Sequence, residues 1–127
     1  LPHVAQLLAE LHQCGVIIML ATTDITSRAR VAMKVLGIEH FFSEIIGGDL
    51  VKSTKPSPDL ALRVIEKCNV DRSKTIVIGD HSVDIQMGIS ADAGYNIGVL
   101  TGLSDASAFD GLDCFVVDNL KSIQVAC

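Results

Sequence analysis

Thr75-Ile76-Val77-Ile78-Gly79-Asp80-His81-Ser82-Val83-Asp84 decides how this chain is read. Its apolar, β-branched opening predicts a buried strand over 75–78. A small-residue helical pattern over 83–93 follows, closed by Gly94. Two carboxylates therefore fall at the carboxyl end of a strand, which in an open parallel sheet is the ligand-binding edge. Asp80 and Asp84 stand four residues apart, so a turn running directly into a helix lets both face one point. Hard oxygen ligands paired in this way suit a magnesium ion. The same residues also suit a plain helix start, with Asp80 or Ser82 as the cap and acidic groups near the positive end of the helix.

Outward from this stretch, helix and strand patterns alternate. Leu1 to Gln13 places Val4, Leu7, Leu8 and Leu11 at helical spacing, and Gly15 ends the helix. Val16 to Ala21 is continuously apolar, as expected of a strand buried on both faces. A helix over Ser27–Leu36 is stopped by Gly37, and Phe41–Ile46 forms a short strand. Pro58–Cys68 carries Leu60, Ala61, Val64, Ile65 and Cys68 on one helical face, with Ser57 as its cap and Pro58 in the first turn. Strands over 96–100 and 114–117 and a short helix around Leu120–Val125 complete the pattern. The alternation predicts one α/β domain over residues 1–127, Rossmann-like, in three α/β/α layers around a mainly parallel sheet.

Bulk properties narrow the function. The 127 residues are 49% hydrophobic, enough for a packed core, and the net charge is −5. An acidic chain lacks the basic footprint that nucleic acid requires. No apolar run is long enough to span a bilayer, and no basic-then-apolar leader opens the chain. Cys14, Cys68, Cys114 and Cys127 form no CxxC pair, which argues against zinc. They are expected to be small buried hydrophobes in a reducing, cytoplasmic compartment rather than a disulfide framework.

Two further elements belong to the same sheet edge. Thr22 follows the first strand, and its hydroxyl can donate to a phosphate oxygen, with Thr23 and the backbone amides of the next helix adding donors. A threonine there is equally suited to an ordinary turn. Lys55-Pro56-Ser57-Pro58-Asp59 holds a cation between stiffening prolines, suited to neutralising a transferring phosphoryl group. Lys52 is the nearby competitor but lacks the proline frame. His81 lies beside the carboxylates as a loop residue, while His3, His12 and His40 carry no visible role.

Thr22-Thr23, Lys55-Pro56-Ser57-Pro58-Asp59 and Gly79-Asp80…Asp84, in this order, resemble the second, third and fourth motifs of the haloacid dehalogenase superfamily, in its phosphoglycolate-phosphatase-like branch. Ile46-Gly47-Gly48-Asp49, Gly98-Val99-Leu100-Thr101-Gly102 and Asp113 to Asp118 are similar to its other segments. The resemblance implies a magnesium-dependent phosphatase acting on a small phosphorylated metabolite through an aspartyl-phosphate. It implies Thr22, Lys55 and Asp80 as catalytic residues, Thr22, Thr23 and Lys55 as phosphate ligands, and Asp80 and Asp84 as metal ligands. A metal-free 2-haloacid dehalogenase fits less well, because the Asp80–Asp84 pair is intact. The family's first motif, an Asp-x-Asp ending a central strand, has no counterpart here; Asp24 and Asp118 belong to other segments. A piece of a longer protein, or a variant without turnover, is therefore expected. Its sheet would lack a central strand, and a partner chain such as a second copy would be one way of covering the gap.

Overall fold

A computed structural model describes residues 3–100 and 105–127. Leu1, Pro2, Thr101 and Gly102 of the segments above lie outside the described residues. The elements run α1 (Val4–Gln13), β1 (Met19–Ala21), α2 (Thr26–Val35), β2 (Glu44–Ile46), α3 (Asp59–Cys68), β3 (Ile76–Gly79), α4 (Ser82–Ser90), β4 (Tyr95–Val99) and β5 (Phe115–Val117). The predicted alternation is present throughout, so the α/β architecture stands.

Two boundaries differ for local reasons. The strand expected over Val16–Ala21 shortens to Met19–Ala21, because pairing with β2 reaches only from Met19↔Glu44 to Ala21↔Ile46. The strand expected from Phe41 begins at Glu44, because Glu39–Phe41 coils into a single 3-10 turn. Similarly, the helix expected at Leu120–Val125 is a 3-10 turn over Leu120–Ser122, capped by the Asn119 side chain accepting from the Lys121 amide at 2.8 Å.

All strand pairs are parallel, but they form two sheets. β1 pairs with β2, and β4 lies between β3 and β5. Helices join the sheets from both sides. On one face, Leu60, Ala61 and Val64 of α3 pack with Met87 of α4, Ala91 and Ile46, against Met19, Ala21 and Val77. On the other, two adjacent leucines of α1 serve different sheets. Leu8 packs with Ile18 and Ile38, and Leu7 packs with Val99 and Leu120. α1 therefore straddles the seam between the sheets, which yields the three layers. Burial of a leucine or valine contributes roughly 1.5–3 kcal/mol each, so these clusters account for the join without sheet hydrogen bonds across it.

Burial of the strands departs from expectation. Residues read as core on both faces are partly open: Ile76 is 55% exposed and Ile78 37%, and Val16 and Ile17 are also exposed. Ile76 and Tyr95 are register partners, as are Ile97 and Phe115, so they share one face of the sheet. α1 covers only the carboxyl half of that face, at Val99 and Val117.

Cysteine chemistry also differs. Cys14, just past α1, is joined to Cys127 in a disulfide with Cα atoms 5.4 Å apart. The expectation of four reduced thiols is corrected to two, Cys68 and Cys114, each half-buried. Sequence spacing hid the pair because 113 residues separate its members. Ile123 and Val125, packed on the core beside Val4 and Leu11, return the chain end to α1.

Candidate active site

The carboxyl ends of β1 and β3 meet around one side chain. Lys55 Nζ donates to the Ala21 carbonyl at 3.0 Å and to Asp84 Oδ1 at 2.6 Å. Its anchor points thus belong to the last residue of β1 and to the first turn of α4. Both ion-pair side chains are largely buried, at 12% and 11% exposure. A pair this enclosed tolerates loss of a partner poorly, because the survivor is left charged and unpaired.

Local sequence explains the placement of each group. Lys55 precedes a cis Lys55–Pro56 peptide and a tight segment in which the Ser57 amide donates to the Thr54 carbonyl. The Asp59 amide donates to Ser57 Oγ at 3.3 Å, but the helix begins one residue later than expected, so its cap is Pro58 and not Ser57. Asp84 sits in the third position of α4, and its Oδ2 accepts from the His81 amide at 3.2 Å. The helix cap is His81, not Asp80 or Ser82. Gly79 makes the arrangement possible, since a Cβ there would collide with the Asp84 carboxylate.

Thr22 continues β1, its amide donating to the Ile46 carbonyl at 3.1 Å. Its Oγ1 accepts from the Asp24 amide at 3.2 Å, a turn bond that leaves the hydroxyl proton unspent. Thr23 is exposed at the next position. Asp80 is half-buried, with Oδ1 3.8 Å from His81 Nε2, a charge pair only when that histidine is protonated. Lys52 is exposed and joins none of these contacts.

The two carboxylates therefore differ. Both Asp84 oxygens are engaged, one by Lys55 and one by the His81 amide, whereas Asp80 accepts no bond from a described residue. Among the described residues, no three His, Cys, Asp or Glu side chains gather as a metal cluster. Magnesium at a phosphate site takes one or two carboxylates, with water and phosphate completing its shell. Asp80 fits the role of one such carboxylate, and Asp84 fits that of the anchor for Lys55.

Sequence reasoning passed over one group that touches this edge. Asp49, three residues beyond β2, accepts from Thr26 at the start of α2. The signal was the Gly47-Gly48-Asp49 run directly after a strand, which resembles a segment of the superfamily but is given no role by that resemblance.

The haloacid dehalogenase-like hydrolase family model matches residues 1–96, and the chain belongs to that family. It is 34% identical over 123 residues to a phosphoglycolate phosphatase of Vibrio cholerae, covering 96% of this chain and 54% of that protein. It is 34% identical over 110 residues to the phosphoglycolate phosphatase of Escherichia coli K12, covering 81% of this chain and 44% of that protein. A candidate β-phosphoglucomutase from Thermotoga maritima superimposes with a TM-score of 0.86 at 27% identity, over 94% of this chain and 55% of that one. The chain spans about half the length of the curated relatives it matches.

Proposed function

We propose that this chain is the phosphate-binding part of the catalytic core of a magnesium-dependent phosphomonoester hydrolase that works on a small phosphorylated metabolite through an aspartyl-phosphate. The observation that carries the reading is Lys55, buried and tied to both Ala21 and Asp84 at the shared carboxyl edge. A cation already paid for in ordering is ready to meet charge as it develops on a phosphoryl oxygen. Thr22 and Thr23 would donate to the remaining oxygens. Asp80 would hold the magnesium ion, which shields the approach of one anion to another. Relatives named phosphoglycolate phosphatase favour a small, anionic phosphate ester as substrate.

The chemistry needs one carboxylate more. In this reading it comes from a further strand, which would cover part of the apolar surface that Val16, Ile17, Ile76 and Ile78 leave exposed. Its oxygen bonds to phosphorus as the ester oxygen leaves and takes a proton; water then cleaves the acyl-phosphate.

An aryl phosphate assay tests the proposal, with magnesium and with chelator. The chain alone is expected to be inactive. Joined to a segment that ends an apolar strand in Asp-x-Asp, it is expected to turn over with magnesium only, and Asp80→Asn to weaken both metal dependence and rate. Turnover by the chain alone would overturn the assignment of the nucleophile to that strand. Inactivity of the joined protein would overturn the phosphatase reading.

A further inference from the structure

The turn that carries Thr22 and Thr23 is held from outside by the turn that follows β2. The Gly47 amide donates to Thr26 Oγ1 at 2.9 Å, and that hydroxyl donates to Asp49 Oδ1 at 2.7 Å. The Thr26 amide donates to the same carboxylate oxygen at 2.7 Å. The Gly48 amide donates to the Asp24 carbonyl at 2.9 Å. Together with the Thr22 amide on the Ile46 carbonyl, these bonds fasten both ends of residues 22–26 to residues 46–49.

The two glycines are required by the contact. A Cβ at Gly47 would run into the Asp24 carbonyl oxygen and the Thr26 amide, and one at Gly48 would lie 2.7 Å from the Thr23 carbonyl oxygen. Backbone therefore approaches backbone at a distance only glycine allows. Asp49 is exposed, yet its carboxyl is held below the usual range, first by the Thr26 hydroxyl and then by the Thr26 amide. The acceptor is thus charged at neutral pH, and bonds to a charged acceptor are the stronger kind. The neighbouring carboxylate of Asp24 makes no comparable link. It accepts from the Ile25 amide and from Arg28, both on its own side of the turn.

We propose that Asp49, acting through Thr26, is a positioning residue that fixes the Thr22–Thr23 turn in the conformation offered to a phosphoryl group. The proposal rests on the phosphatase reading and names a residue that reading does not use. Asp49 touches no substrate; its effect passes through the backbone of residues 23–26.

Inorganic phosphate titrated into the chain, followed at the Thr22 and Thr23 amide resonances, tests it alongside amide exchange. Asp49→Ala is expected to weaken phosphate about tenfold, the worth of one bond to a charged acceptor. It should also speed exchange at Thr26, Gly47 and Gly48 while leaving β3 and β4 unchanged. Asp49→Asn keeps an oxygen able to accept both bonds and is expected to recover most of the affinity. Asp24→Ala is expected to bind as the parent does. Parent-like phosphate binding by Asp49→Ala, or equal weakening by Asp24→Ala, would overturn the proposal. A parent chain blind to phosphate would overturn the phosphatase reading and this role with it, and exchange at Thr26 would still show whether the clamp itself exists.

Discussion

The carboxyl edge of the strands and the bodies of the same strands are finished to different degrees. At the edge, Lys55 and Asp84 are enclosed and bonded to each other, and Gly79 leaves room for their contact. A few residues lower, Ile76 is more than half exposed beside an unpaired strand border. Side-chain and turn bonds complete the edge from within the described residues. Strand bodies need neighbours, and two parallel sheets meeting without hydrogen bonds lack one. A binding edge can therefore be preorganised while the sheet beneath it stays open.

Both regions lie inside the ring closed by Cys14–Cys127, so its loss should be felt in each. Cys127→Ser is expected to cost about 5 kcal/mol through loop-closure entropy, read as a fall in thermal midpoint that reductant reproduces in the parent and not in the variant. A drop confined to α1 and the C-terminal segment, with the site edge unaffected, would show that the regions unfold separately.

The contrast itself is broken or kept by a pair of truncations. Leu60→Ala, in a fully buried position, should cost about 3 kcal/mol, whereas Ile76→Ala should cost under about 1 kcal/mol. Urea unfolding of both variants measures this, and equal losses would mean that Ile76 is covered in solution. Lys55→Ala should cost about 3 kcal/mol by leaving Asp84 buried without its partner. In the joined protein proposed above it should lower kcat by about 10²–10³, and near-normal turnover would remove Lys55 from the chemistry.

Gly79→Ala sharpens the edge side. The added methyl meets the Asp84 carboxylate, so a loss of about 1–3 kcal/mol is expected, with the Lys55 resonances moving most in a spectrum of the variant. The smallest effect concerns acid. Asp49 has a folded pKa below its ordinary 3.8, so its bonds to Thr26 contribute above that value and are lost as pH falls through the lowered one. Exchange at the Thr26 amide should therefore quicken only below about pH 4, and quickening nearer neutrality would point to a different group.

Much of the site was legible because its residues are local. Gly79-Asp80 through Asp84 is one turn after a strand, so spacing alone brings its carboxylates to a strand end, and the prolines around Lys55 mark a stiff loop. What Asp84 does there was not legible. Its spacing from Asp80 suggests two metal ligands, yet a lysine 29 residues away takes one of its oxygens. Asp49 escaped notice for the same reason, since Thr26 lies 23 residues before it.

Local pattern was enough for the alternation of strands and helices, the parallel class and the strand-end location of Thr22, Asp80 and Asp84, because periodicity and turn chemistry act over a few residues. It took the folded chain to separate the strands into two sheets, to bring Cys14 to Cys127 and Asp49 to Thr26, and to rest Lys55 on Ala21 and Asp84. Each of these joins groups far apart in the chain, and the energy that selects such contacts comes from burial and charge in three dimensions, which no local pattern records.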